Sequence, residues 1–285
     1  MRSKLFVPAS RPDLFAKAAA GPADALSFDL EDAVPEARKA EARDTLAAYL
    51  RDAPPGLRQT VVVRVNAPGT AHFAPDLEAV ALPRTDFVNL PMVEDPAAVA
   101  EAATRLDGLD PEGRIRLLVN IETPRSLRLA ADLACAHPRV AGLQIGYADL
   151  LEPSGIDRSD EAALAQIRVA VRLAAAEAGV PAYDGAFAAV KEPEAFRAEC
   201  EAARRHGFAG KTCIHPSQVG IANAAFLPGP DEVAWSRRIL AAAAEAETRG
   251  LGAILVDGRM IDPPFLSRAR AVVALSDLHS GAEAR

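Results

Sequence analysis

Short apolar runs alternate with longer segments rich in alanine, leucine, arginine and glutamate, and this alternation most constrains the fold. About eight runs occur, in order KLFVP, ALSFDL, TVVVRV, DFVNLPM, RLLVNIE, GLQIGY, PAYDGAF and GKTCIH. Continuous apolar character is typical of strands covered on both faces, as in parallel sheets. The intervening segments have helical composition, most clearly in residues 37–50, 161–178, 194–206 and 231–248. Gly179 and Gly207 stand where helix C-terminal glycines are expected.

Strands that alternate with helices predict an α/β protein, and eight of them predict one (β/α)8 barrel, the TIM-barrel architecture. A doubly wound open sheet is the competing fold. The 285 residues suit a single barrel with an appendix. We place the barrel at residues 1–249 and a C-terminal helical extension at residues 250–285. We expect this extension to pack on the barrel or on a neighbouring subunit.

The composition argues against several classes of protein. The formal net charge of −7 disfavours nucleic-acid binding, which needs a basic face. Cys135, Cys200 and Cys213 are widely spaced and form neither a zinc motif nor a disulfide framework. They predict a reduced, cytoplasmic setting. We expect no signal peptide, because the first apolar stretch is broken at Pro8, and no membrane span, because no run approaches ~18 residues.

Polar residues close most of the predicted strands. They are Asp29, Glu31, Asp32, Arg64, Asn66, Glu122, Asp149, Asp184 and His215. In a barrel the C-terminal ends of the strands meet at one mouth, so we expect these side chains to converge there. Glu122 and Asp149 follow neighbouring strands, and such a carboxylate pair suits Mg²⁺. The alternative is that each acid caps a helix or pairs with an arginine.

Arg64 lies in the apolar run VVVRVN and therefore needs an anionic partner. The partner is an acid of the DLEDAV segment (Asp29, Glu31 or Asp32), a substrate carboxylate held in a bidentate pair, or both. A plain buried ion pair is the structural alternative. The acid cluster itself could also be a solvated loop.

Two further residues are weaker candidates. His215 in CIHPSQ is either a base or a packed strand-end histidine. Lys211 would support Schiff-base chemistry only if its side chain pointed into the mouth. No glycine-rich phosphate-binding motif is present in the sequence.

Several stretches of the chain, taken together and in order, carry a resemblance to a known family. They are RSKLFVPASRPDLFAKA, DALSFDLEDAVPEARKAEAR, VVRVNAPGT, VNIETP, GYADL, AYDGAF, GFAGKTCIHPSQV and VDGRMIDPPFLSRA. Over essentially its whole length the chain resembles the citrate lyase beta-subunit family. That family belongs to a wider group of metal-dependent barrel aldolases and lyases, which includes malyl-CoA and citramalyl-CoA lyases.

The resemblance implies one Mg²⁺ per subunit and cleavage of a 3-hydroxy-3-carboxyalkyl thioester, with CoA thioester as substrate, into a 2-keto acid and an acyl thioester. Glu122 and Asp149 match the metal ligands, which also contact substrate. Arg64 matches the arginine that grips the keto-acid carboxylate. Asp262 matches an acid–base residue supplied by a neighbouring subunit.

The resemblance carries further expectations. The DLEDAV acids Asp29, Glu31 and Asp32 match residues that surround and orient the metal ligands and the arginine. We expect a trimer or hexamer, and citrate lyase alpha and acyl-carrier subunits are possible partners. Among the basic residues near the N-terminus, Arg2, Lys4 and Arg11 are our candidates for binding the CoA phosphates.

The chain departs from the family pattern at the fourth strand end, where Pro91-Met92 replaces the LPK of many relatives. The segment AAV after AYDGAF also lacks an acid or amide often found nearby. The intact DGRMIDPPF segment favours a complete CoA-thioester lyase. A pyruvate-type aldolase, an acyl-CoA thioesterase and a non-catalytic assembly subunit are the alternatives. The identity of the keto acid stays open.

Overall fold

The computed structural model describes residues 1–52, 57–248 and 254–283. Its main feature is a closed barrel of eight parallel strands, in which each strand pairs with the next and the last with the first. The strands are β1 (Ser3–Pro8), β2 (Ala25–Asp29), β3 (Thr60–Arg64), β4 (Phe87–Leu90), β5 (Arg116–Ile121), β6 (Val140–Ile145), β7 (Ala182–Asp184) and β8 (Gly210–Cys213). The predicted barrel is confirmed and the open sheet is excluded.

Helices follow the strands and cover the barrel. In the barrel unit they are α1 (Phe15–Ala19), α2 (Lys39–Arg51), α3 (Phe73–Val80), α4 (Pro96–Leu109), α5 (Pro124–Arg128), α6 (Ala130–Cys135), α7 (Tyr147–Leu151), α8 (Glu161–Glu177), α9 (Pro193–Arg205) and α10 (Pro216–Ala225). Asp160 caps α8 by accepting from the N–H groups of Ala162 and Ala163. Gly179 and Gly207 follow α8 and α9 with φ of +68° and +87°, which confirms them as helix-terminating glycines.

Residues alternate between the two faces of each strand, and this period of two sorts the core into layers. The outward residues, such as Leu5, Val7 and Phe28, join one apolar cluster with the helices. A smaller inner cluster contains Ala25, Val62, Leu118 and Tyr183. Other side chains on the inner face are polar and buried: Lys4, Ser27, Asn89, Asn120, Gln144 and Thr212. The barrel interior is therefore filled by side chains, as in other barrels of this size.

The chain forms two compact units, residues Met1–Phe226 and Leu227–Arg285. The second contains α11 (Pro230–Thr248), a hairpin of β9 (Ile254–Val256) and β10 (Arg259–Ile261), and α12 (Pro263–Glu283). The predicted boundary at 249/250 lies outside the described residues. Helix α11, which we assigned to the barrel, instead belongs to the second unit, because Ile239 packs with Val256 and Ile261.

The hairpin of the second unit was not predicted beyond a turn-rich piece. Asp257 and Gly258 connect its strands with φ of +50° and +75°, which is the backbone of a two-residue Asp-Gly turn. Among the described residues, no helix combines the length and the apolar character needed to cross a membrane.

Candidate active site

Arg64 forms the centre of a charged cluster at the mouth of the barrel, where the strands end. Its Nε and Nη2 each donate to one oxygen of Asp29 at 2.7 Å, because the two residues lie opposite each other on β3 and β2. Nη1 lies 2.8 Å from Glu31 Oε2 and 3.2 Å from Asp32 Oδ2. Burial opposes the charge, but the bonds and charge of Asp29 raise the pKa of Arg64. All three predicted acid partners contact Arg64.

The loop after β2 folds around the Asp29 carboxylate, which explains why the acids lie so close together. Asp29 accepts from the backbone N–H groups of Glu31 and Ala33 at 3.0 and 3.1 Å. Lys39 then holds the same loop by donating to the carbonyls of Leu30 and Glu31. The DLEDAV segment is thus a structured strand end. The solvated-loop alternative is excluded for Asp29, which is buried.

Glu31 is the least favoured charge of this cluster. Burial raises its pKa to about 8, against the attraction of Arg64, and the nearby negative charges of Asp32, Glu122 and Asp29 add to the rise. The side chain therefore exchanges a proton close to neutral pH.

Glu122 follows β5 and points into the mouth with a buried carboxylate. Its Oε1 accepts from the backbone N–H of Met92 at 2.6 Å, and its Oε2 accepts from Asn120 Nδ2 at 2.9 Å. Met92 presents this N–H from a left-handed conformation, with φ of +52°. Gly146 makes room on the other side, because a Cβ there would lie 2.3 Å from Glu122 Oε2. The carboxylate is therefore held in one place by backbone and side-chain groups.

Asp149 lies on α7, directly after β6, and its side chain is exposed. Burial raises the pKa of Glu122, and the negative charge of Asp149 raises it further. Gly146 lies against Glu122, and Asp149 follows three residues later on α7, so the two predicted ligands belong to the same part of the mouth. Among the described residues, no hydrogen bond or ion pair engages the Asp149 carboxylate, so it is not a helix cap or an arginine partner there.

A divalent cation fits this donor set, because it would replace the repulsion of two carboxylates by attraction. In the described part of the chain, no group of three or more His, Cys, Asp and Glu side chains could hold a metal. The other ligands would be water and substrate oxygens, which is usual for Mg²⁺. Glu122 and Asp149 thus fit Mg²⁺ better than zinc, which prefers four nitrogen and sulfur ligands.

Asp184 does not join the mouth, which corrects the expectation that all strand-end polar residues converge there. It lies on the outward face of β7 and is bonded by Lys211 at 2.6 Å and by Arg168 at 3.1 Å. Burial works against its charge, but Lys211 and Arg168 lower the pKa of Asp184 to about 2. Lys211 also binds Glu199 of α9. It points away from the mouth, which removes it as a Schiff-base candidate.

The positions of Arg2 and Lys4 correct their assignment to CoA phosphates. Arg2 stands before β1, at the opposite end of the barrel from the mouth, and binds Asp24 through its guanidinium at 2.8 and 2.9 Å. Lys4 is fully buried inside the barrel and donates to Gln144. Arg11 follows β1 on the mouth side and pairs with Asp13 in an exposed position. Its role stays a prediction.

Three other predicted residues have distinct surroundings. His215 is exposed at the N-terminus of α10, where its Nδ1 accepts from the backbone N–H of Ser217. Asn66 is buried and donates to Asp76 and to the Leu30 carbonyl. Asp262 belongs to the second unit, where it precedes α12, and its buried Oδ1 has no hydrogen-bond partner among the described residues.

Sequence reasoning missed the polar groups inside the barrel that lead to Glu122. Asn120 precedes Glu122 by two residues, so both face inward from β5. Gln144 and Asn89 lie on the same inner face of β6 and β4 and bond to Asn120. A signal was available, because polar residues two positions before a strand-end acid point to the same side.

Comparison with known proteins gives consistent matches over the chain. The sequence model of the family described as HpcH/HpaI aldolase/citrate lyase matches residues 2–216. A (3S)-malyl-CoA thioesterase from Cereibacter sphaeroides is 38% identical over 277 residues, 97% of this chain and 94% of the relative. A citrate lyase subunit beta-like protein from Mycobacterium tuberculosis is 38% identical over 275 residues, 94% of this chain and 93% of the relative.

A solved structure also matches. The protein CitE from Mycobacterium tuberculosis, in complex with magnesium, acetoacetate and coenzyme A, superposes with a TM-score of 0.77 at 36% identity. The match covers 97% of this chain and 100% of that chain. The similarity therefore extends past the barrel into the second unit.

Proposed function

The chain belongs to the HpcH/HpaI aldolase/citrate lyase family, and we propose that it is a Mg²⁺-dependent carbon–carbon lyase. The substrate would be a 3-hydroxy-3-carboxyalkyl thioester of the citryl-, malyl- or citramalyl-CoA type. The products would be a 2-keto acid and an acyl thioester. The observation that carries this proposal is the placement of Glu122, Asp149 and Arg64 around one mouth of the barrel.

Glu122 and Asp149 would hold Mg²⁺, as the repulsion between their carboxylates favours. A bound Mg²⁺ supplies Lewis-acid stabilisation for negative charge that develops on substrate oxygens. The related protein CitE was solved with magnesium, acetoacetate and coenzyme A, which supports this assignment and a CoA thioester as substrate.

Arg64 would bind the carboxylate of the keto-acid portion. Four contacts of its five N–H groups already go to acids. A bidentate pair with the substrate needs two N–H groups, so one of these acids would yield. Asp32 is the best candidate, because its side chain is 67% exposed and its contact is the longest, at 3.2 Å. Asp29 would keep the guanidinium plane fixed during the exchange through its two bonds.

Cleavage needs one proton to leave the substrate and another to arrive. As the hydroxyl passes its proton to solvent water, its oxygen forms the carbonyl of the keto acid. The electrons of the broken carbon–carbon bond pass to the carbon beside the thioester. Asp262 would then give that carbon a proton, and in the reverse direction it would remove one.

A thioesterase is the second candidate, because a relative that is 38% identical is named (3S)-malyl-CoA thioesterase. The two reactions differ in products. Hydrolysis of the thioester releases the free thiol of CoA, whereas carbon–carbon cleavage keeps the thioester and releases a keto acid. Parallel assays for free thiol and for keto acid on malyl- and citramalyl-CoA therefore separate them.

The remaining proposals concern assembly and setting. A homo-oligomer, trimer or hexamer, would allow a neighbouring subunit to supply Asp262. Citrate lyase alpha and acyl-carrier subunits are possible partners, since the relative from Mycobacterium tuberculosis is named citrate lyase subunit beta-like. A cytoplasmic setting fits the small-molecule and CoA substrates.

A thermal-shift titration tests the metal-and-keto-acid site directly. Mg²⁺, oxaloacetate, glyoxylate and pyruvate are added singly and in pairs. A ligand at ~100 times its dissociation constant adds about 2.7 kcal/mol of stability. We expect a keto acid to stabilise only when Mg²⁺ is present. Glu122→Ala is the control and should lose the shift; an unchanged shift in this variant, or none in the wild type, would refute the site.

A further inference from the structure

A row of polar side chains crosses the barrel interior and ends on Glu122. Lys4 on β1 donates to Gln144 Oε1 on β6. Gln144 Nε2 donates to Asn120 Oδ1 at 3.1 Å, and Asn120 Nδ2 donates to Glu122 Oε2 at 2.9 Å. All four are at most 4% exposed. Because β1 and β6 are not neighbours in the barrel, the row runs through its interior.

The hydrogen bonds in this row all point the same way. Gln144 turns its carbonyl oxygen to Lys4, from which it accepts, and its amide nitrogen to Asn120, to which it donates. Asn120 accordingly turns its own nitrogen to Glu122. Asn89 supports this orientation, because its Nδ2 donates both to Asn120 Oδ1 at 2.8 Å and to the Leu118 carbonyl at 3.0 Å.

The burial of Lys4 is otherwise unexplained. Taking an ammonium out of water costs several kcal/mol unless a partner offsets it. Burial and the charge of Arg64 lower the pKa of Lys4 to about 7, against the attraction of Asp29 and Glu122. Lys211, in contrast, is bonded by Asp184 and Glu199. Among the described residues, no carboxylate contacts Lys4, whose bonded partner is the amide of Gln144.

We propose that Lys4, Gln144 and Asn120 are positioning residues that hold the Glu122 carboxylate ready for a divalent cation, with Lys4 acting through the two amides. This inference rests on the metal site proposed above. The row supplies a fixed donor to one oxygen of Glu122, while the Met92 N–H fixes the other. The carboxylate then keeps one orientation before any cation arrives, which lowers the cost of binding.

Calorimetric titration of the full chain with Mg²⁺ alone tests the role of the row. Lys4→Met and Asn120→Leu should each weaken Mg²⁺ binding about tenfold, the effect typical of groups that orient metal ligands. Gln144→Met interrupts the same row and replaces Lys4→Met if that variant does not fold. Thr212→Val is the matched control. Thr212 is also buried, on the inner face of β8, but its Oγ1 has no hydrogen-bond partner among the described residues.

A double variant separates action through the amides from a general effect of charge. If Lys4 acts through Asn120, Lys4→Met combined with Asn120→Leu binds Mg²⁺ as Asn120→Leu alone does. The proposal would be overturned if the double variant lost Mg²⁺ affinity by the product of the two single losses. It would also be overturned if the single variants bound Mg²⁺ with wild-type affinity. A wild-type chain that binds no Mg²⁺ would overturn the metal site itself, and this proposal with it.

Discussion

At the residue scale, the mouth holds more negative than positive charge. Its acids are Asp29, Glu31, Asp32, Glu122 and Asp149, and the guanidinium of Arg64 is bonded by the first three. Glu31, with a pKa of about 8, adds little negative charge at neutral pH, but the four other acids carry more charge than Arg64 and a bound Mg²⁺ together. A keto acid with a second carboxylate would therefore be repelled more than one with a methyl group.

Met92 offers a test of this charge argument. Its backbone N–H reaches Glu122 at 2.6 Å, and its side chain is 46% exposed. Met92→Lys should strengthen binding of oxaloacetate relative to pyruvate about tenfold, or ~1.4 kcal/mol, because the new charge offsets the second carboxylate. Calorimetry in the presence of Mg²⁺ measures both dissociation constants.

Met92→Gln is the matched control for that substitution. Gln and Lys face the same backbone strain at φ of +52°, and Gln is a polar side chain without charge. If Met92→Gln strengthened oxaloacetate binding relative to pyruvate as much as Met92→Lys, polarity rather than charge would set the preference between the two keto acids. No change with Lys would mean that the second carboxylate does not approach this residue.

Residue types alone predicted the partners of Arg64, because a buried arginine must meet an anion. They did not predict the position of Lys4. A lysine near the start of a chain is expected to be exposed to solvent, and burial of a lysine without a carboxylate partner is rare. Only the closure of the barrel, which brings Gln144 of β6 to β1, reveals what offsets its burial.

At the element scale, the period of two in each strand decides which polar residues share the mouth. Asp29, Arg64 and Glu122 face inward, whereas Asp184 and Lys211 occupy the outward positions of β7 and β8. The facing of each residue can be read from the sequence only if the register of its strand is known. Short strands such as β7 define that register poorly. A one-residue change of register exchanges the two faces.

The outward cluster makes a prediction about stability. Lys211→Met should lower the free energy of unfolding at pH 7 by about 3 kcal/mol, because it removes a partner from the buried Asp184 and Glu199. Urea denaturation measures the change. Arg105→Met is the control, since the Arg105 pair with Glu101 is exposed and should contribute less than ~1 kcal/mol.

The pH dependence gives the same prediction a second readout. The folded-state pKa of Asp184 is about 2, below its ordinary value of 3.8. The unfolded chain therefore binds the proton first, and the stabilisation by ionised Asp184 is lost as the pH falls from about 4 to about 2. The difference in the free energy of unfolding between wild type and Lys211→Met should become smaller as the pH falls through this range. A constant difference would show that Lys211 stabilises by packing alone.

At the scale of the whole molecule, the alternation of strands and helices was sufficient to predict the barrel. Each of the eight units repeats the same pattern, so local errors in one strand do not change the architecture. The second unit has no such repetition. Its hairpin strands have three residues each, too short for a periodic signal, and only Asp257-Gly258 marks the turn.

Asp262 is the residue of the second unit to which we assign a role in the proposed chemistry. Its Oδ1 is buried without a hydrogen-bond partner among the described residues, as expected of a group that awaits a ligand. Asp262→Asn should slow carbon–carbon cleavage at least ~100-fold, the usual contribution of an acid–base residue. Binding of Mg²⁺ and keto acid should be unchanged. Turnover and calorimetry on the same preparation separate the two effects.

Mixing two inactive variants tests whether Asp262 serves a neighbouring subunit. Asp262→Asn keeps the ligands of the barrel, and Glu122→Gln keeps the acid of the second unit. If Asp262 of one subunit acts in the barrel of its neighbour, randomly mixed oligomers should regain about a quarter of wild-type activity. Each active site then needs an Asp262→Asn subunit, which has an intact barrel, beside a Glu122→Gln subunit, which has an intact Asp262. Subunits that exchange without any recovery would place the acid in the same chain as its barrel, and full activity of Asp262→Asn alone would remove Asp262 from the mechanism.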